Sequence, residues 1–398
     1  MDPPEKCDVL FLKSDNSTLP IAEGRMHYSP LLDSIGDLVK YRGLQSSSIV
    51  MPPSKIHRSK FYDNTATVNR RIFAIRLKDF LFRVMGRVTK KDDSSNREVG
   101  MWEDIFTSYS PRLIVAIQPG GAICRAARKL NIPIYDMQHG VISGAHPWYS
   151  KNYNFMRPIE ELPDGYLCWD EASSESLKLW THSKGLDVRV VGNPWFIRFI
   201  ADSTGTPCAL SAPSNKKPTI LISLQWGNSH CFDERPFRKF LDSALEAAIV
   251  ETWDAIDWSL RYHPVQIMGP ERRHLKKYID RTFGRASYKK WLESSLTPLP
   301  LVLSRADLHL TQNSTVAIEA SWLGVRTGFI GGDVPEGYFH KEIEEGYASI
   351  IEGSPDVLLE WISETLSKGK AMPAMSRRNY DGFEALFADL GLNMSHKG

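Results

Sequence analysis

The sequence predicts an α/β protein of two successive doubly wound units, each a parallel sheet with helices on both faces. Three observations predict it. The chain has 398 residues, more than a single hydrophobic core usually serves. Short apolar strands alternate with amphipathic stretches along most of its length, and that alternation builds parallel sheets. One stretch rich in Ser, Pro and Gly, "ADSTGTPCALSAPSNKKP" (201–218), interrupts the alternation, which then restarts. The expected organisation is a domain over 1–200, a linker over 201–218, a domain over 219–370, and a C-terminal helical segment over 371–398 that packs back across both.

The elements follow in order. "CDVLFLKS" (7–14) is a buried strand. Residues 66–85 form a basic amphipathic helix, in which Ile72, Phe73, Leu77, Phe80, Leu81 and Val84 recur at helical spacing. Arg70, Arg71, Arg76, Lys78 and Arg83 supply its charge. Its apolar stripe reads as core-facing with the basic face in solvent; contact with anionic lipid is the competing reading. "GRVTKKDDSSNRE" (86–98) reads as a polar loop. A helix near 99–109, the strand "RLIVAI", the turn "QPGG", a helix near 121–130 and the strand "IPIYDM" come next. "DGYLCW", a helix and "DVRVVGNPW" complete the first block. Beyond the linker, "TILISLQ" is a strand and 236–250 a helix. "WSLRYHP", "LPLVLS" and "DLHLTQ" read as strands, "STVAIEASWLG" as a helix and "VRTGFIG" as the last strand. An amphipathic segment near 376–390 ends the pattern.

Composition excludes several classes. A net charge of +2, with 42% hydrophobic and 24% charged residues, is ordinary for a soluble globular protein and gives no global case for nucleic acid. Five scattered cysteines without a C-x-x-C pair favour a reducing compartment over a disulfide framework or zinc ribbon. No window approaches 18 uninterrupted apolar residues. The N-terminal stretch lacks a signal-peptide pattern, so a cytoplasmic location is expected, with peripheral contact at the inner face of the cytoplasmic membrane as an added possibility.

Missing motifs narrow the chemistry. The sequence has no D-x-D, no G-x-G-x-x-G, no G-x-x-x-x-G-K, no H-E-x-x-H and no G-x-S-x-G. A phosphate bound here is therefore expected to be held without metal, by side chains and backbone amides. "TQNSTVAIEASWLG" (311–324) offers such a place. Gln312, Asn313, Ser314 and Thr315 lead from a strand into a helix, with more capping residues than one helix start uses. Glu319 lies one turn deeper on the face of Thr315, where a carboxylate can accept bonds from ribose hydroxyls. In "DWSLRYHPVQ" (257–266), proline ends a strand directly after His263. Arg261 shares the face of His263, and Tyr262 points the other way.

These residues carry a family resemblance. A strand ending in His-Pro, followed some fifty residues later by Ser-Thr at a helix start, resembles bacterial GT-B transferases that use CMP-activated sugars. Those are the sialyltransferases and the Kdo transferases of capsule and lipopolysaccharide assembly. "YDMQHGVISGAHPWY" (135–149), "PDGYLCWDEASSESL" and "VVGNPW" are similar to the retaining β-Kdo transferases among them. The resemblance spans roughly 112–331. It implies a GT-B fold of two Rossmann-like domains facing a cleft, the first binding acceptor and the second binding nucleotide sugar.

It also implies the roles. The donor is a CMP-activated sugar, most simply CMP-Kdo, and the acceptor a bacterial surface glycan, expected to be lipid-linked; no metal or other cofactor is required. His263 donates to the donor phosphate. Ser314 and Thr315 hold the phosphate or cytidine beside Gln312 and Asn313, Glu319 takes the ribose, and Arg261 the sugar carboxylate. Retention needs an enzymic nucleophile in "QWGNSHCFDERPF" (225–237), where Asp233 is the carboxylate and Cys231 the second position considered. Asp233 as a helix cap is an equal reading. Gln138, His139 and Gly140 would contact the acceptor, with His139 orienting or deprotonating its hydroxyl, and Glu160 is the candidate general base. A CMP-sialic acid transferase, a UDP-sugar transferase or epimerase, and a non-catalytic glycan- or nucleotide-binding subunit are the alternatives.

Overall fold

The computed structural model describes residues 6–21, 26–63, 65–84, 91–144, 146, 148–154, 156–200, 217–225, 240–331, 334, 338–375 and 379–392. By contact the chain divides into two units, Met1–Arg198 with Asn379–Gly398, and Phe199–Arg378.

The first unit contains β1 (Val9–Lys13), β2 (Leu19–Ile21), β3 (Met26–Tyr28), β4 (Ser46–Val50), β5 (Ala66–Thr67), β6 (Leu113–Ala116), β7 (Ile134–Met137), β8 (Gly165–Cys168) and β9 (Asp187–Val190). Seven of them form one sheet in the order β5-β4-β1-β6-β7-β8-β9, and every neighbouring pair is parallel. β2 and β3 make a separate antiparallel pair. Every residue of β1, β6, β7 and β8 is buried, as expected of a sheet covered by helices on both faces. The chain leaves β1 toward β4 and β5, then returns to the other side of β1 for β6. The β1/β6 boundary is therefore the reversal point of the winding.

The second unit repeats the plan with β10 (Thr219–Ser223), β11 (Asp257–Arg261), β12 (Leu308–Thr311), β13 (Arg326–Ile330) and β14 (Ala348–Ile351). Their order is β11-β10-β12-β13-β14, again all parallel, so the reversal falls between β10 and β12. Each unit has its own core. Trp102 and Phe106 lie in the first, Trp258 and Trp291 in the second, all four at most 2% exposed. Burying side chains of this size stabilises by roughly 1.5–3 kcal/mol each. Cys7, Cys124 and Cys168 are buried free thiols.

The structure departs from the sequence expectations in the 236–250 helix, which takes in neither Phe240 nor Leu241 and begins at Ser243, and in three further elements. "LPLVLS" lies in a helix, Leu299–Arg305, not a strand. Pro300 sits in its first turn, where a missing N–H costs nothing, and an apolar run this short fits either element. Residues 91–98 belong to the helix Lys91–Tyr109 instead of a loop. Its core stripe of Val99, Trp102, Ile105 and Phe106 starts late, so the polar turns before it carry no period to read. The third of these is the helix Asn69–Val84. Ile72 is buried, yet Phe73, Leu77, Phe80, Leu81 and Val84 are exposed, so the stripe taken as core faces outward.

The described helix after β10 is Ser243–Glu251, capped by Asp242. The C-terminal helix Asp381–Asp389 is grouped with the first unit and buries Phe383, Leu386 and Phe387. Gly382 permits its close approach, because a Cβ there would stand 2.6 Å from the Val191 Cα. No helix among the described residues is long and apolar enough to cross a membrane.

Candidate functional site

In open α/β sheets, ligands bind beyond the carboxyl ends of the strands, at the reversal point. Each unit has one such edge. In the second unit a small pocket, about 20 Å³ in cavity volume, lies there, lined among others by Ser223, Leu224, Asp242, Thr311, Gln312 and Ile330. Beneath it His309 bridges three strands, with Nε2 2.9 Å from Ser223 Oγ and Nδ1 3.0 Å from Thr327 Oγ1. Burial pushes this imidazole down to about 3, so it stays neutral. His309 is a structural cross-brace.

Three side chains surround the same edge. Glu319, in the helix Val316–Ser321, is 8% exposed and accepts no hydrogen bond from any described residue. Burial pushes its carboxyl up to about 8, and the Arg261 guanidinium holds it back from rising further. Arg261 ends β11, and its Nη1 donates to Ser294 O at 2.8 Å and Thr297 O at 2.7 Å. Those carbonyls close the helix Arg285–Leu296, where a cation is favoured. Burial brings Arg261 down to about 10, still cationic at neutral pH. Tyr262, 2% exposed, points into the core and stacks on Tyr288 at 5.6 Å.

His263 does more than end a strand. β11 finishes at Arg261, and His263 is the N-cap of a short helix, Pro264–Met268, with Pro264 in its first turn. Its Nδ1 accepts the Val265 N–H at 3.3 Å. Gln266 Oε1 accepts the His263 N–H at 2.9 Å, and Gln266 Nε2 donates to Gln225 O at 3.1 Å. Burial pushes the imidazole down to about 4. With Nδ1 accepting, the hydrogen belongs on Nε2, and His263 is a neutral donor. Asn313, Ser314 and Thr315 are half-buried before the Glu319 helix. The Ser314 hydroxyl accepts the Val316 N–H at 3.4 Å, whereas Thr315 makes no side-chain cap bond.

The edge of the first unit is built differently. Lys13, at the end of β1, is 1% exposed, paired with Asp33 and donating to Thr65 Oγ1 at 3.1 Å. Asp33 also accepts the Ser29 N–H at 2.6 Å. Asp136 in β7 is fully buried. It accepts from Trp148 Nε1 at 2.9 Å and from the Gln118 N–H at 2.8 Å, and burial pushes it up to about 7.

Gln138 is 1% exposed and its amide is committed internally. Its Oε1 accepts the Trp169 N–H at 2.7 Å, while Nε2 donates to Gly140 O at 2.9 Å and Ser173 Oγ at 3.0 Å. It braces the loop that carries His139. The Tyr149 hydroxyl accepts the His139 backbone N–H at 3.3 Å and lies 2.7 Å from His139 Nδ1. One hydroxyl satisfies both by donating to Nδ1, which puts the imidazole hydrogen on Nε2. Burial pushes His139 down to about 4. In this tautomer the free Nε2–H of His139 is a hydrogen-bond donor and not a base. Glu160 is exposed on the turn Ile159–Glu161.

Several of these groups were not singled out from the sequence: Lys13, Asp33, Asp136 and His309. The available signal was an ionisable residue inside an apolar strand, as in "VLFLKS", "IYDM" and "LHLT". Asp233 and Cys231 lie outside the described residues, as does the segment 226–239 around them. Among the described residues no three His, Cys, Asp or Glu side chains gather as a metal site.

No protein-family model and no curated protein sequence matches the chain. Solved structures do. UDP-GlcNAc 2-epimerase from Neisseria meningitidis bound to UDP-GlcNAc aligns with a TM-score of 0.54 and 13% identity, over 97% of this chain and 100% of that one. The S. aureus MnaA–UDP structure aligns with a TM-score of 0.55 and 13% identity, over 98% of both chains. The wall teichoic acid polymerase TagF soaked with CDPG aligns with a TM-score of 0.56 and 12% identity, over 99% of this chain and 91% of that one. At such identities the likeness is one of fold, and with two parallel-sheet α/β units the chain has the GT-B fold.

Proposed function

We propose that this protein transfers a sugar from a nucleotide-activated donor to a glycan acceptor, with the nucleotide held at the carboxyl edge of the second unit. The observation that carries the reading is Glu319: a buried carboxyl without a hydrogen-bond donor among the described residues, near the cationic Arg261. A carboxyl raised by desolvation and lacking a protein donor is stabilised by any donors that a ligand brings to it. Ribose hydroxyls supply two donors suited to it. Ser314, Thr315 and the Nε2–H of His263 are the neutral donors for the phosphate, and Arg261 is the cation for a carboxylate. A CMP-linked 2-keto acid sugar bears both a phosphate and a sugar carboxylate, as UDP-uronic acids also do, and the sequence resemblance makes CMP-Kdo the first substrate to try.

In this reading the bond between the anomeric carbon and the phosphate oxygen breaks, and CMP leaves with the electron pair. His263 stabilises the charge that develops on the phosphate, as an oxyanion-hole donor does. Retention places a carboxylate, Asp233 by resemblance, on the sugar in a first step. An acceptor hydroxyl displaces it in a second step and gives its proton to a base; the resemblance gives that role to Glu160 and contact with the acceptor to His139. The test is incubation with CMP-Kdo and a short aminosugar acceptor in EDTA. Glycoside and free CMP are expected; neither forming would overturn the reading. Intact-mass spectrometry after donor exposure would reveal the covalent step, and peptide mapping would choose between positions 231 and 233.

A second reading has its own support in the full-length likeness to UDP-GlcNAc 2-epimerases. It predicts stabilisation by UDP over CMP in thermal shift, and inversion at C2 of UDP-GlcNAc without any acceptor. Binding of a nucleotide with no turnover of either kind would leave a non-catalytic binding subunit.

A further inference from the structure

The helix Asn69–Val84 is arranged the wrong way round for a helix that meets only water. Its inner face is ordinary, with Ile72 buried and Ile75 packed on the core of the first unit. Its outer face is apolar. Phe73 is 66% exposed, Leu77 44%, Phe80 61%, Leu81 47% and Val84 67%. At about 100° per residue these five positions fall on a single crest pointing away from the core. Exposed Arg76 lies along one side of the crest, and exposed Arg71 and Lys78 along the other. Arg70 stands at its N-terminal end, also exposed. The helix Pro355–Lys368 shows the usual arrangement. It buries Leu358, Ile362 and Thr365 and exposes Asp356, Glu360, Ser363, Glu364, Ser367 and Lys368, with Val357 as a lone exposed apolar side chain.

Two phenylalanines, two leucines and a valine left in water along a helix about 24 Å long form a contiguous patch of the kind that marks a binding surface. The basic rows on both flanks say what it binds. Apolar side chains that enter a layer, with cations level beside them on either hand, match the boundary between acyl chains and anionic headgroups.

We infer that the Asn69–Val84 helix docks the protein on an anionic membrane surface, with Phe73, Leu77, Phe80, Leu81 and Val84 entering the acyl boundary. Arg71, Arg76 and Lys78 meet the headgroup phosphates. The helix lies in the plane of the interface and does not span it. The inference is independent of the nucleotide-sugar chemistry, because vesicle binding needs neither donor nor acceptor.

The test is co-sedimentation of the whole protein with two kinds of vesicle: phosphatidylcholine alone, and phosphatidylcholine mixed equally with phosphatidylglycerol. Pelleting with the mixed vesicles, weakened by salt, is expected. Arg71→Gln, Arg76→Gln and Lys78→Gln should each weaken it about fivefold. The triple variant Phe73→Ser, Leu77→Ser, Phe80→Ser should abolish it without lowering the thermal midpoint, because those side chains are exposed. The double variant Phe73→Leu, Phe80→Leu should retain it. No pelleting of the unaltered chain at low salt would overturn the inference, as would pelleting that the serine variant leaves unchanged. So would a dimer in vesicle-free buffer that the serine variant converts to monomer, which would assign the crest to a second copy of the chain.

Discussion

The carboxyl edges of the two parallel sheets lie at corresponding reversal points and treat buried polar side chains in opposite ways. In the first unit the charged groups satisfy one another or the local chain. Lys13 has Asp33 and Thr65, Asp136 has Trp148 and the Gln118 amide, and His139 has Tyr149. In the second unit Arg261 and His263 are tied by one side only, and the Glu319 carboxyl has no hydrogen-bond donor among the described residues. A satisfied edge is a rigid platform; an edge with an open acid needs a ligand. The contrast supports a scaffolding role for Lys13, Asp33 and Asp136 in the first unit and fits the proposed ligand site at the edge of the second.

The largest test of that contrast is Asp33→Ala. It strands Lys13 without a counter-ion and should cost about 3–5 kcal/mol in urea unfolding. The double change Lys13→Met, Asp33→Leu should recover most of it. A small loss in the single variant would mean the pair is not the keystone of its edge. Next comes His263→Ala. It should lower kcat by roughly a hundred- to a thousandfold, about 2.7–4 kcal/mol, with whichever nucleotide sugar proves to be the substrate. An unchanged rate would remove His263 from the site.

Tyr149→Phe probes the satisfied edge again. It deletes the hydroxyl shared by His139 Nδ1 and the backbone N–H, and should destabilise by about 1–3 kcal/mol. Ring nitrogen shifts of His139 should show Nε2 protonated before the change and a mixture of tautomers after it. The finest test is Glu319→Gln, followed as stability against pH. The folded carboxyl titrates near 8, above the ordinary 4.5, so the folded state holds this proton more tightly than the unfolded chain does. Its contribution is complete below 4.5 and is lost as pH rises toward 8, by up to about 1.4 kcal/mol per pH unit. Glutamine should flatten that slope, and saturating nucleotide should flatten it in the unaltered protein. A slope that glutamine leaves untouched would mean Glu319 is not the open group of its edge.

Much of the architecture was legible because it rests on local pattern. Runs such as "VLFLK" and "TILIS" are buried on both faces, and their separation by helical stretches admits little but two parallel sheets. Where pattern is ambiguous, reading failed. "LPLVLS" fits a strand or a helix at six residues, and neighbouring β12 took the strand position. The stripe of the Asn69–Val84 helix has correct periodicity, but periodicity does not say which of two apolar faces meets the core. Its opposite face, carrying Ile72 and Ile75, won that contact.

For the site, the sequence by itself determined which chemistry-bearing residues end strands: His263 and Arg261, Gln312 to Thr315, Gln138 and His139. That much follows from alternation and from proline and glycine punctuation, which are local. Only the tertiary structure decided which of them are already occupied. Gln138 is engaged on every side because β8 and its following helix come within hydrogen-bond reach, and the Tyr149 hydroxyl fixes the tautomer of His139 from ten residues away. Glu319 is open because burial thins the water around its carboxyl while the fold brings no hydrogen-bond donor to it from the described residues. Desolvation and partner choice depend on every element packed around a side chain, and no window of sequence contains them.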